Sequence, residues 1–388
     1  MPLGRRLTLV LGVTQLLAWA TTYYTPAVVT ANAAASMRAS PTALLGGFSW
    51  ALLITGFASP RVGRRIDRVG GRGVLALGNG IMAAGMAVLA AWPRLPGWYV
   101  GWTICGVGMA AGLYDASFAT IGRLLGAAAR PAIVGVTLFG GFASSLGWPM
   151  GVGLVRLLDW RATVIVYALI LAGVNLPLIL AFVPRAPAQA LAAETSVRDG
   201  GPARGSVAFL LLAAFFSLRA AISSVVSVHA LVLFRGLGLA ASAAVGVAAL
   251  IGPMQVAGRV LEVAFGRRLN PLVTSWLGAA LLPAGVAALL AGGPVGGFAV
   301  AYGISNGVLT ISRGTLPLHL FGARGYATRI GRLALPVMLA QAVAPTAITP
   351  LVLAWPAPWV FALMGGAAAA ALFCLLPLNR LTAKARRY

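Results

Sequence analysis

The chain has 388 residues, of which 60% are hydrophobic and only 9% charged; its net charge is +23 and its mean hydropathy +0.92. A soluble domain carries about 25% charged residues, so a soluble enzyme and a disordered chain are both excluded. What remains is an all-α integral membrane protein, in which about a dozen spans of ~20 apolar residues fit.

The apolar runs predict spans at 7–29, 43–60, 74–92, 97–121, 132–157 and 162–183, then at 206–229, 238–261, 272–292, 295–316, 332–354 and 358–378. Continuous runs of this length exclude a β-barrel, whose strands alternate over about 10 residues. The first run begins like a signal peptide, but no small-residue cleavage site closes it, and it reads as a retained span. The polar stretch 184–205, rich in Pro, Gly and charge, reads as a cytoplasmic linker. It divides an N-terminal six-helix bundle, 1–183, from a C-terminal one, 206–388.

The basic excess does not point to nucleic acid. It lies in short clusters between apolar runs, with no basic helix face and no aromatic interleaving. With the N-terminus cytoplasmic, that segment and the even-numbered loops hold 22 of the 29 basic residues. The other side holds Arg38, Arg94, Arg156, Arg161 and Arg235, while Arg219 and Arg313 fall inside spans. This asymmetry places both termini in the cytoplasm. The arginine, alanine and glycine load suggests a GC-rich bacterial genome, hence an inner membrane. Cys105 and Cys374 each lie in apolar runs and imply neither a disulfide framework nor a metal site.

The halves repeat. GRRIDRVGGRG starts at Gly63 between spans 2 and 3, and GRVLEVAFGRR starts at Gly258 between spans 8 and 9. Setting Gly63 on Gly258 places Asp67 on Glu262, Gly71 on Gly266 and Arg72 on Arg267. Parallel repeats about an axis along the membrane normal mark one transporter architecture.

On these residues the chain resembles the major facilitator superfamily of secondary transporters over its whole length. The family's loop after span 2 reads G-x-x-x-D-R-x-G-R-[KR]. This sequence offers Gly63, Asp67, Arg68, Gly70, Gly71 and Arg72, departing at Gly71, where a basic residue is usual. The second copy keeps Glu262 and Arg267 but has no Arg after the acid. The resemblance implies twelve helices in two pseudo-symmetric bundles and a loop that latches the cytoplasmic side. An acid among arginines at a membrane surface is suited to cap a helix N-terminus or to pair across to the other half. A weaker likeness, GGFASSLGWPMGVG from Gly140 in span 5, is read either as an antiporter pattern broken by Trp148 or as close helix packing.

The resemblance also implies that spans 1, 4, 7 and 10 line a central cavity. These four independently hold most of the interior polar groups. Span 1 carries Gln15, Trp19 and Tyr23 in one stripe. Span 4 carries Asp115. Span 7 carries Arg219, Ser223 and Ser227, and span 10 carries Asn306, Thr310 and Arg313. A charge at the bilayer centre costs at least ~2.5 kcal/mol, so it is turned inward and paired, or functional. Arg219 lies near mid-span and suits an anionic substrate group or a structural tie to Asp115. Asp115 and Arg313 lie about 10 Å nearer the cytoplasm and suit an inner gate, with Asp115 also the first choice of proton carrier. His229, near the outer end of span 7, reads as interfacial.

The function expected is secondary transport of a small organic anion, proton-coupled and working by alternating access. The alternative is an efflux pump for a drug, a metalloid or another neutral or hydrophobic compound. Span 8 lacks the mid-span Arg of monocarboxylate carriers; its only basic residue, Arg259, falls at the expected cytoplasmic end. No nucleophile sits beside a base and no P-loop is present, so an enzyme is not expected. The partners expected are a small-molecule substrate, protons and the lipid bilayer, with no cofactor, no metal and no nucleic acid. A single bundle suffices as a monomer.

Overall fold

The structure, a computed structural model, describes residues 1–185 and 207–378. Among these, every regular element is helical. Helices α1 (Leu3–Thr21) and α2 (Thr25–Met37) are one broken rod. They are followed by α3 (Pro41–Val69), α4 (Gly71–Ala91), α5 (Leu95–Gly112) and α6 (Tyr114–Leu125). Next come α7 (Arg130–Gly141), α8 (Ala143–Leu157), α9 (Trp160–Ile170) and, after a π-helical turn at Leu171–Asn175, α10 (Leu176–Phe182). The remainder is α11 (Val207–Gly236), α12 (Ala241–Phe265), α13 (Pro271–Leu290), α14 (Val295–Phe321), α15 (Tyr326–Ala354) and α16 (Ala357–Leu375).

Local chemistry sets these boundaries. Ser40, Asp159 and Asn270 cap α3, α9 and α13 by accepting from backbone N–H groups two or three residues on, and Pro41 and Pro271 begin their helices. Gly70 (φ 82°) turns the chain from α3 straight into α4, in a conformation that favours glycine.

Among the described residues, ten runs are long and apolar enough to cross a membrane, where the sequence predicts twelve spans. Two breaks explain the difference. The first predicted span is interrupted at Thr22–Tyr24, and the fourth and fifth predicted spans follow one another through short breaks along Leu95–Leu157 and count as one run. The protein is a multi-pass membrane protein.

The chain divides into two compact units. Unit 1 is Met1–Gly200 with Ala323–Leu335; unit 2 is Gly201–Gly322 with Pro336–Tyr388. The predicted linker, 184–205, lies outside the described residues apart from its first two positions. The first ten residues of α15, however, pack with unit 1, and the helix passes to unit 2 at Pro336. Within unit 1, α3 and α4 pack on α5, and α4 packs on α9. Within unit 2, α12 and α13 pack on α14, and α13 packs on α16. The same pairing of spans thus recurs six spans later.

Candidate substrate and coupling sites

Arg219 lies three residues from the midpoint of α11 and is 5% exposed. None of its three nitrogens has a hydrogen-bond partner among the described residues. One turn on, Ser223 receives a hydrogen bond from Tyr302 of α14: the phenol oxygen is 3.2 Å from Ser223 Oγ and 3.4 Å from its carbonyl. The same phenol interacts electrostatically with Arg219. Asn306 and Thr310 continue the α14 stripe, half-buried, and the Thr310 hydroxyl donates to the Asn306 carbonyl at 2.7 Å. The sequence reading missed Tyr302. Its signal was available, because it stands four residues before Asn306 on the same helical face. Arg313, further along α14, is half-buried, and the expected pairing with Asp115 would join residues of different units.

Unit 1 gathers polar groups of another kind. Gln15, 1% exposed, donates from Nε2 to the Gly112 carbonyl at 2.7 Å. That carbonyl lies where α5 gives way to α6 through the extended Leu113, so the amide serves a break in the predicted fourth span. Nearby, Asn175 Nδ2 donates to Thr14 O and to Asn79 Oδ1, both at 2.9 Å. Asn175 ends the π-helical turn, a feature frequent at functional sites. Neither asparagine was singled out from sequence, since each lies alone in an apolar run.

Around this centre runs a chain of rings. Trp19 contacts Tyr23 (centroids 4.7 Å) and Tyr114 (4.9 Å), and Tyr114 stacks on Phe118. Tyr23 meets Phe48, which leads to Trp102, Trp98 and Trp160. Trp19 Nε1 is buried without a hydrogen-bond partner. Asp115, half-buried in the first turn of α6, interacts electrostatically with Tyr326.

The loop after α3 docks on α15. Asp67 Oδ2 accepts from the Thr328 N–H (2.8 Å) and hydroxyl (2.5 Å), so the carboxylate stands at the N-terminal turn of α15. There the charge also meets the positive end of the helix dipole. Gly63 permits this approach, since a Cβ would overlap the Ala327 carbonyl. Gly71, the departure from the family pattern, is packed against Thr120 of α6 with no room for a side chain. Arg68 is exposed, and Arg72 donates to the Leu180 carbonyl at the end of α10. A cavity of about 180 Å³ opens beside Asp67, lined by Gly122, Arg123, Arg324 and Tyr326 among others.

Three solved structures are similar along nearly the whole chain. The human organic anion transporter MFSD10 (TETRAN) has a TM-score of 0.74 at 18% identity, covering 97% of this chain and 100% of that one. The proton:xylose symporter XylE, bound to 6-bromo-6-deoxy-D-glucose, has 0.74 at 17%, covering 95% and 94%. The transporter FucP in its outward conformation has 0.70 at 11%, covering 95% and 97%. The fold is that of the major facilitator superfamily. By sequence, no family profile and no curated protein matches the chain.

Within this superfamily fold, the second loop copy is built differently from the first. Glu262 is 6% exposed in α12, and its carboxylate lies against Gly266 of the turn that follows its own helix. The acid paired with Asp67 by the repeat therefore folds back locally. The side chain of Arg267, the counterpart of Arg72, lies outside the described residues. In the Gly-rich pattern of span 5, Gly147 and Gly151 pack against α1, α2 and Tyr167, while Gly153 faces open space. Trp148 is exposed and contacts Tyr24. His229 Nε2 lies 3.0 Å from the Pro345 carbonyl and 3.3 Å from the Thr349 hydroxyl, both on α15.

Proposed function

We propose that this chain is a secondary transporter that moves a small organic anion across a bacterial inner membrane by alternating access, coupled to protons. The observation that carries the reading is Arg219, a buried guanidinium near the middle of α11 with no hydrogen-bond partner among the described residues. An uncompensated charge there costs several kcal/mol, and a bound anion removes that cost. Its fork matches a carboxylate in two parallel hydrogen bonds.

In this reading Arg219 holds the anionic group, while Ser223, Asn306 and Thr310 line its surroundings. Gln15 braces the helix break, and Trp19 and Tyr23 offer ring faces within unit 1. Asp115 carries the coupling proton, and Arg313 serves the inner gate. Asp67, with Gly63, Arg68, Gly71 and Arg72 around it, latches the cytoplasmic ends; Glu262 and Arg267 are the weaker counterpart. The basic asymmetry puts both termini in the cytoplasm. The likeness to an organic anion transporter and to a proton symporter supports the same reading. A second reading, efflux of a neutral or hydrophobic compound, is favoured by the unpartnered Trp19 Nε1 in its aromatic surroundings.

The test is a thermal-stability screen of the detergent-purified protein against organic anions, cations and neutral solutes, with and without Arg219→Ala. A ligand of the folded state at a hundredfold excess over Kd stabilises by about 2.7 kcal/mol. Stabilisation by anions that disappears in the variant is the expected result. Stabilisation by neutral or cationic compounds alone, unchanged in the variant, sinks the anion reading.

A further inference from the structure

Unit 2 holds a second buried arginine. Arg259 reads from the sequence as the end of its span, but α12 runs on to Phe265, so the residue lies six positions inside the helix. It is 7% exposed, its Nε is sealed and unpartnered, and it makes no hydrogen bond or ion pair among the described residues. The acid one turn away, Glu262, is turned toward Gly266.

Arg259 and Arg219 lie at similar distances along their helices from the turn that joins them. Helices α11 and α12 are joined by a short turn after Gly236. Counted from that turn, Arg219 lies 17 residues down α11 and Arg259 18 residues down α12. At 1.5 Å per residue these are about 26 and 27 Å. Arg219 interacts with Tyr302, and Arg259 follows Gly258, whose missing side chain lets α12 press against the Ile304 carbonyl. Gly303 and Gly307 close the same crossing against Met254 and Gln255. Between these contacts, on the same stretch of α14, stands Asn306.

We infer that Arg259 is a second anion-holding residue and that the substrate carries two negative charges. Two buried guanidinium groups in one unit, neither with a hydrogen-bond partner among the described residues, are matched by a dianion and left half-compensated by a monoanion. The remaining basic residues of α11 and α14 are remote. Arg235 lies 16 residues beyond Arg219, and Arg313 lies 11 beyond Tyr302, or about 24 and 16 Å along their helices. The inference rests on the anion-transport reading and names its substrate class.

The experiment measures binding of succinate, butyrate, sulfate and phosphate to the purified full chain at neutral to slightly alkaline pH. It uses the wild type, Arg259→Gln, Arg259→Lys and Arg219→Ala. Wild type is expected to bind a dianion at least about tenfold more tightly than butyrate, from one added charge-assisted contact. Arg259→Gln is expected to weaken the dianion about tenfold or more while moving butyrate less than about threefold, and Arg259→Lys to restore part of the loss. Succinate above sulfate and phosphate makes the dianion a dicarboxylate, and the reverse order makes it an inorganic oxyanion; either supports the inference. Butyrate bound as tightly as succinate, or succinate binding unchanged in a monodisperse Arg259→Gln, overturns it. If that happens while Arg219→Ala still abolishes anion binding, only the role of Arg259 falls. If no anion binds the wild type, the transport reading falls with it.

Discussion

In unit 1 the buried amides of Gln15, Asn79 and Asn175 each donate to an oxygen of a neighbouring helix or of their own. In unit 2 the guanidinium groups of Arg219 and Arg259 donate to nothing among the described residues. The difference is one of charge as much as of partners. An amide oxygen left over, as at Gln15 Oε1 and Asn175 Oδ1, is a modest cost, whereas an unpaired buried cation is a large one. These amides brace the helices of unit 1, the two arginines of unit 2 are proposed to await a ligand, and substitutions should separate the two.

The largest expected effect is at Arg219. Replacing it with Met should lower transport at least about a hundredfold, the loss of one charge-assisted fork. The same change should raise the stability of the unliganded protein by about 1–3 kcal/mol, because a buried uncompensated charge is removed. Loss of stability in that variant would mean that Arg219 is a structural tie. Vesicle uptake and thermal unfolding read the two quantities separately.

Next comes Gly63→Val, which drives a branched side chain into the Ala327 carbonyl. It should destabilise by about 3 kcal/mol, the upper range for overpacking. Limited proteolysis should then cut at 323–325 faster than in the wild type; an unchanged rate would separate that segment from unit 1.

Asn175→Ala comes third. It strips Asn79 Oδ1 and Thr14 O of their donor and should cost about 1–3 kcal/mol in unfolding experiments. Anion affinity should stay within about twofold, since the site proposed for the anion lies in the other unit. A large loss of affinity with intact stability would move a binding role into unit 1.

The smallest effect is expected for Asp67→Asn. The amide still accepts from Thr328, while the charge that meets the helix terminus and Arg329 is lost, at a cost of about 1 kcal/mol. A transport change well beyond that, at unchanged stability, would point to a state-dependent role for the carboxylate.

Much of this was legible along the chain. Apolar run lengths fixed the membrane class, and the offset copies around Gly63 and Gly258 exposed the repeat. Arg219 announced itself as a charge within an apolar run, and Asp67 as an acid among arginines. Those signals are local, because hydropathy, charge and spacing are properties of neighbours in sequence.

Other features needed the fold. The partner of Asp67 is Thr328, 261 residues away. The polar centre of unit 1 joins Thr14, Asn79, Gly112 and Asn175 from different spans. Arg259 falls at the cytoplasmic end of its predicted span, but α12 extends past it and buries it. Glu262 matched Asp67 in the repeat, yet lies against its own turn. In each case what decides the role of a polar group is which atoms surround it once water is gone. Sequence determined that this chain must bury charge in a membrane; only the packing of helices decided which of those charges found a partner and which have none among the described residues.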